Sequence, residues 1–345
     1  MKIFYSEEHR KHYPPFEIFD GGQRVPYYEN PDRMDQILSA LNKVDWAELV
    51  EPKDFGLDPI LAIHDKDYIN FIASCWTEWL ASDPEVAASP EQHAFLPATF
   101  ALRRKARPTS SLRGRGGYYM MDLSACIVEA TYNASLASAY CALSAAESTF
   151  SNQQSAFGLC RPPGHHAGRD YAGGYCFINN AAVAANWLAL KGKVAILDID
   201  YHAGNGTQDI FYERSDVLTI SIHGDPDFEY PHYAGFADET GAGDGLGFHK
   251  NFPLPKNTDD MGYLAILDKA LAMVKHFAPK YLVLSTGMDT FDGDPLGTFR
   301  ITQNGFQEVG KRIASLHLPS TIIMEGGYAN EALGTNTITL LENFK

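Results

Sequence analysis

Two histidines stand side by side in "CRPPGHHAGRD" (160–170), behind Pro162, Pro163 and Gly164. Neighbours on a strand point to opposite faces, and on a helix they diverge by about 100°. The prolines and the glycine exclude both elements and allow an irregular loop that turns the imidazoles of His165 and His166 toward one target. A second group lies in "LDIDYHAGNG", where one residue separates Asp200 from His202 at the end of an extended run, so that both face the same way. Asp289, closing "YLVLSTGMD" (281–289), offers a further oxygen ligand. Two carboxylates, one imidazole and an open position suit a catalytic Zn2+ that activates water, with Fe2+ as the substitute; closed structural zinc sites generally use cysteine. A two-metal site would want Asp-x-His-x-Asp and a later Asp-x-Asp. Gly204 and Phe291 occupy those bridging positions, so one metal is the better count.

These residues need a frame. Four short β-rich runs carry polar groups at their ends: "KVAILDID" (193–200), "VLTISIHGD" (217–225), "YLVLSTGMD" (281–289) and "STIIMEGGY" (320–328). Helical patterns alternate with them at 259–277 and 303–317, which predicts an α/β fold with a parallel sheet covered on both faces. Ligands of open parallel sheets bind beyond the carboxyl ends of the strands. There the runs deliver Asp200 and His202, then His223, Asp289, and Glu325 through Tyr328. A small-residue helix is expected over 124–149. Residues 76–122 read as a long excursion with one short helix, of the kind used as a lid, binding loop or oligomer contact. "GAGDGLG" (241–247) lacks the GxGxxG spacing of a nucleotide loop and reads as a flexible connection.

The 345 residues show no repeat or linker, so the whole chain, 1–345, reads as a single domain. An apolar content of 45% supports a real core, and no apolar stretch approaches the roughly 18–20 residues that span a bilayer. The start, "MKIFYSEEHRKHYPP", is too charged for a signal peptide, which predicts a cytoplasmic protein. Five scattered cysteines without a CxxC argue against disulfides and thiolate zinc; Cys160 and Cys176 read as buried small apolar groups. A net charge of −15 speaks against nucleic acid and favours a cationic small substrate. One segment breaks the pattern: between Glu91 and Asp122 there is no carboxylate, yet Arg103, Arg104, Lys105, Arg107, Arg113 and Arg115 occur there. A basic loop on an acidic body suits docking on a second subunit, or is simply a solvated face.

"RPPGHHA", "LDIDYHAGNGTQDIFY", "SIHGDP", "GMDTFDGDPLG" and "MEGGY" together resemble the zinc-dependent deacetylase family of the arginase–deacetylase superfamily. With "GGYCFINNAAVAA" and the insertion at 76–122, the chain is most similar to the bacterial acetylpolyamine amidohydrolase branch. The resemblance implies a central eight-stranded parallel β-sheet flanked by helices, with a narrow tunnel to the metal. It places the zinc ligands on Asp200, His202 and Asp289. His166 falls on the general base and acid, and His165 on its electrostatic partner. Asp198 falls on the carboxylate that bonds His165, and Asn205 on the partner of His166. Tyr328 falls on the oxyanion-stabilising tyrosine, with Gly326 and Gly327 letting its loop move, and Tyr175 and Tyr230 on the tunnel walls. A structural K+ would be held by Asp198, Asp200, His202, Ser221 and Ile222, while His223 supports the core. The insertion would build a homodimer that closes the tunnel.

Two departures matter. Asn205 stands where some relatives carry aspartate, which would leave His166 neutral enough to accept a proton. In the insertion, Arg113 stands where the branch offers a carboxylate to the substrate's distal ammonium. The expected substrates are therefore short acetylated amines, acetylputrescine and acetylcadaverine, rather than acetylspermine. A protein acetyl-lysine deacetylase is the alternative and needs an open tunnel mouth. A catalytically silent relative is a third reading, disfavoured because the ligands, both histidines and the tyrosine are all present.

Overall fold

The computed structural model of the chain describes residues 1–102 and 106–345. Arg103, Arg104 and Lys105 of the basic segment lie outside the described residues. The strands are β1 (Lys2–Phe4), β2 (Glu17–Phe19), β3 (Gln23–Val25), β4 (Glu48–Val50), β5 (Ala156–Gly158), β6 (Val194–Asp198), β7 (Val217–Gly224), β8 (His249–Leu254), β9 (Tyr281–Thr286) and β10 (Ser320–Met324). Among the described residues, eight of them form one parallel sheet in the order β4-β1-β5-β10-β9-β6-β7-β8, while β2 and β3 form an antiparallel hairpin. This is the α/β architecture expected.

The central strands are continuous apolar runs because both faces are covered. Along β6, Val194 and Ile196 enter one core, and Ala195 and Leu197 enter the other. The first core is closed by helices Lys66–Ser82, Thr131–Asn152 and Asn180–Ala189, the second by Asp32–Leu41, Asp260–Phe277, Gln303–Ala314 and Asn330–Leu341. No helix of the described residues is long and apolar enough to cross a membrane. All five cysteines are buried and unpaired.

Several boundaries differ from the expectation. β6 stops at Asp198 and β9 at Thr286, so Asp200, His202 and Asp289 sit on loops beyond the sheet. Strand alternation therefore does not aim Asp200 and His202. A relay of Asx turns does: Asp198 Oδ1 accepts the amide of Asp200 at 3.0 Å, and Asp200 Oδ1 that of His202 at 2.9 Å. The small-residue helix begins at Thr131 rather than 124, because Asp122 Oδ1 captures the amides of Ser124 and Ala125, and Ile127 pairs with Phe95.

The insertion holds more helix than the one expected: Lys66–Ser82 runs into it, followed by Pro84–Ala88, a 3-10 turn at Pro90–Gln92, and Leu112–Tyr119. The glycines of the last helix obscure it in the sequence. They serve close approach, since a Cβ on Gly117 would lie 1.8 Å from the carbonyl oxygen of Thr99. Arg115 pairs with Glu78 within the chain, and Arg113 is exposed. "GAGDGLG" folds as a tight 3-10 turn at Gly243–Gly245, packed against the backbone of Tyr212.

Candidate active site and metal centre

Four separate parts of the chain meet beyond the sheet. The loop after β5 carries the tandem histidines, the loops after β6 and β9 carry Asp200, His202 and Asp289, and the loop after β10 carries Tyr328.

One donor atom from each of Asp200, His202 and Asp289 lies within 4.8 Å of the others. His202 Nδ1 is 3.1 Å from Asp289 Oδ2 and 3.3 Å from Asp200 Oδ1. Both carboxylates are fully buried. Burial and the neighbouring Asp200 push Asp289 up to about 7, the mark of two anions confined in one dry space. A divalent cation between them removes that penalty, so the donor set fits a metal, and its mixed O/N character fits a catalytic one. Backbone from two loops comes close enough to admit only glycine: a Cβ on Gly287 would lie 2.1 Å from Asp200 Oδ2, and one on Gly326 would lie 2.4 Å from Asp289 Oδ2. Gly326 is thus needed for room, and Gly327 for its φ of 124°. Gly326→Ala is expected to weaken metal affinity by about 10–100-fold by displacing a ligand carboxylate, read as metal bound per chain after dialysis.

The tandem histidines are turned as the loop allows, their ring centroids 4.0 Å apart. His165 Nδ1 lies 2.9 Å from Asp198 Oδ2, and His166 Nδ1 lies 2.7 Å from Asn205 Oδ1. Burial opposes a charge on His165, but the carboxylates of Asp200 and Asp198 outweigh it and push the group up to about 10. His166 is held well below its ordinary range by burial and by its neighbours His165 and His202. Space for its ring depends on Gly174, where a Cβ would come within 2.2 Å of it. The tandem loop is pinned by Glu325, which accepts the amides of Gly164 (2.7 Å) and His165 (3.2 Å) and the hydroxyl of Ser285 (3.0 Å).

Tyr328 is buried beside Tyr175, ring centroids 5.8 Å apart, and Asp294 accepts its backbone amide at 2.7 Å. Tyr230 stands edge-on to His166 at 4.9 Å. Tyr175 donates its hydroxyl to Glu17 at 2.8 Å, and Tyr230 donates its hydroxyl to Asp122 at 2.6 Å. Tyr175 has a φ of 67°, a conformation disfavoured for an aromatic residue and fixed here by that bond and by tight packing against Tyr27. Burial pushes Glu17 up to about 7.

Of the proposed potassium set, Asp198, Asp200 and His202 are contiguous in the Asx relay. Ser221 Oγ lies 2.6 Å from His223 Nδ1, and Ile222 is buried on β7. A cavity of about 10 Å3 adjoins Asp198 and Ser221. Sequence reasoning gave no role to Glu17, Asp122, Asp294 or Arg33, and none beyond a strand end to Glu325. Their signal is spatial, because each acts on a backbone or hydroxyl group far along the chain.

The model of the histone deacetylase domain matches residues 27–344. Acetylpolyamine amidohydrolase 1 of Pseudomonas aeruginosa is 44% identical, covering 100% of this chain and 99% of its own. The acetylpolyamine amidohydrolase of Mycoplana ramosa is 39% identical, with 99% of each chain covered. The crystal structure of an acetylpolyamine aminohydrolase from Burkholderia pseudomallei superposes with a TM-score of 0.94 at 37% identity, over 100% of this chain and 98% of that one. The likeness runs over nearly the full length, and the chain belongs to the histone deacetylase domain family, as a hydrolase of the deacetylase class.

Proposed function

We propose that the protein removes acetyl groups from short acetylated diamines, with Zn2+ at Asp200, His202 and Asp289. The observation that carries the substrate class is that Tyr175 is anchored on Glu17 and Tyr230 on Asp122, and that Tyr230, Asp122 and Asn205 line a cavity of about 540 Å3, which we read as the substrate passage. Such a passage holds methylenes against rings and offers a terminal ammonium a carboxylate partner. This supplies the acid that Arg113, exposed on the insertion, does not.

A metal bound there supplies Lewis acidity toward the amide carbonyl and water. His166 donates Nδ1–H to Asn205, so its Nε2 lone pair is free to take a proton from the attacking water and return one to the departing amine. His165, charged against Asp198, stabilises the negative charge that develops. The Tyr328 hydroxyl donates to the oxyanion, a contact typically worth about 10²–10³ in rate. We further assign K+ to the backbone and side chains of Asp198, Asp200, His202, Ser221 and Ile222. The single domain is read as a cytoplasmic homodimer closed through residues 76–122, to be checked by sedimentation.

Asn205→Asp adds a carboxylate to a ring that otherwise faces His165, His202, Tyr230 and Gly174. A carboxylate favours imidazolium, so the acidic limb of kcat/KM is expected to move to higher pH; an unmoved limb refutes the role of Asn205. The substrate class is tested by kcat/KM for acetylputrescine, acetylcadaverine, acetylspermine and an acetyl-lysine peptide, measured side by side on the zinc-loaded protein. The short diamines are expected to lead. Preference for the peptide would replace this reading with a protein deacetylase.

A further inference from the structure

Glu29, between β3 and helix Asp32–Leu41, is fully buried with two arginines, Arg33 and Arg161. Its Oε1 accepts from Arg33 Nη1 at 2.7 Å and from Arg161 Nε at 2.8 Å. The two guanidiniums then reach opposite parts of the site. Arg33 donates to the carbonyl of Gly327 at 2.7 Å and of Glu325 at 2.6 Å, and its cation lies 4.9 Å from the Tyr328 ring. Arg161 roots the tandem-histidine loop, immediately before Pro162, on the carbonyls of His9 (2.5 Å), His12 (2.8 Å) and Glu29 (2.8 Å).

Two cations share one anion out of contact with water. Such an arrangement is weak as a source of stability but strict in geometry, since each guanidinium is a rigid fork and an unpaired buried charge is costly. Without the carboxylate the arginines repel, and Arg33 loses the contact that orients its fork toward the two carbonyls flanking Gly326. Gly326 in turn donates its amide to the ligand Asp200 at 2.8 Å. We infer that Glu29 is a positioning residue: by sharing Oε1 between Arg33 and Arg161, it fixes the Tyr328 loop relative to the tandem-histidine loop. This rests on the assignment of Tyr328 as the oxyanion donor.

The test measures Glu29→Gln and Glu29→Asp, each alone and in the Tyr328→Phe background, by steady-state kinetics with metal content and thermal melting. Glu29→Asp keeps the charge balance, so it preserves the test if the glutamine variant does not fold. Positioning predicts that kcat falls about 10–100-fold, less for aspartate, with KM within about twofold. In the Tyr328→Phe background the further loss is expected to shrink below about threefold, because the group being positioned is gone. An equal loss in both backgrounds, or a loss confined to KM, would overturn the inference. If Tyr328→Phe itself retained full activity, the assignment of Tyr328 would fail first, and the role of Glu29 with it.

Discussion

Replacing His166 by alanine is expected to lower kcat by about 10²–10⁴ while leaving KM and metal content close to wild type. The ring hydrogen-bonds Asn205, which is outside the candidate metal group, so its removal is expected to delete a proton carrier without dismantling that group. His165→Ala should behave differently, since His165 Nε2 approaches Asp200 Oδ1 at 3.6 Å and its loss leaves Asp198 and Asp200 with less compensating charge. Metal content in that variant is expected to change along with kcat. Rates and metal stoichiometry measured on both variants separate the two roles, and an active His166→Ala protein would sink the assigned mechanism.

Asp289→Asn is expected to abolish activity and to leave less than about a tenth of the metal per chain after dialysis, through loss of an anionic ligand. Its effect on stability carries more information. In the wild type, metal binding and the relief of two confined carboxylates act together, so a chelator should lower the melting temperature by several degrees. In Asp289→Asn the carboxylate repulsion is already gone, while the amide oxygen can still accept the Tyr201 amide that Oδ1 accepts at 2.9 Å. The variant should therefore melt at the same temperature with and without chelator. A chelator-sensitive variant that retained its metal would show that Asp289 is not a ligand.

The sheet was legible because its central strands are apolar on both faces and their polar residues cluster at one end, a pattern that survives without any alignment. The candidate metal group was legible because Asp200, His202 and Asp289 follow strands within a few residues of their ends. Asp200 and His202 share a direction, but not through strand alternation: both lie past the end of β6 and are turned by the Asx relay from Asp198. Groups that hold the site from a distance left no local trace. Arg33 reads as an ordinary polar residue near a helix start, and Glu17 as one letter of a short hairpin. Their partners stand 294 and 158 residues along the chain, and only the fold brings them within hydrogen-bonding reach. The last helix of the insertion was hidden for a related reason, since Gly114, Gly116 and Gly117 in it admit close contacts rather than turns.

The place of β10 in the sheet order also sets a sequence of assembly. It is the strand that joins β4-β1-β5 to β9-β6-β7-β8, although it is the last of the ten along the chain. Without β10 the native pairings before Ser320 make two separate part-sheets of the large sheet, one bearing the tandem histidines and the other all three candidate metal donors. The two halves reach their native arrangement only once β10 is present to join them, and the chain that follows β10 brings Glu325 and Tyr328 with it. Until then the inner edges of β5 and β9 have no native partner, and unpaired strand edges of this kind are open to pairing with other chains.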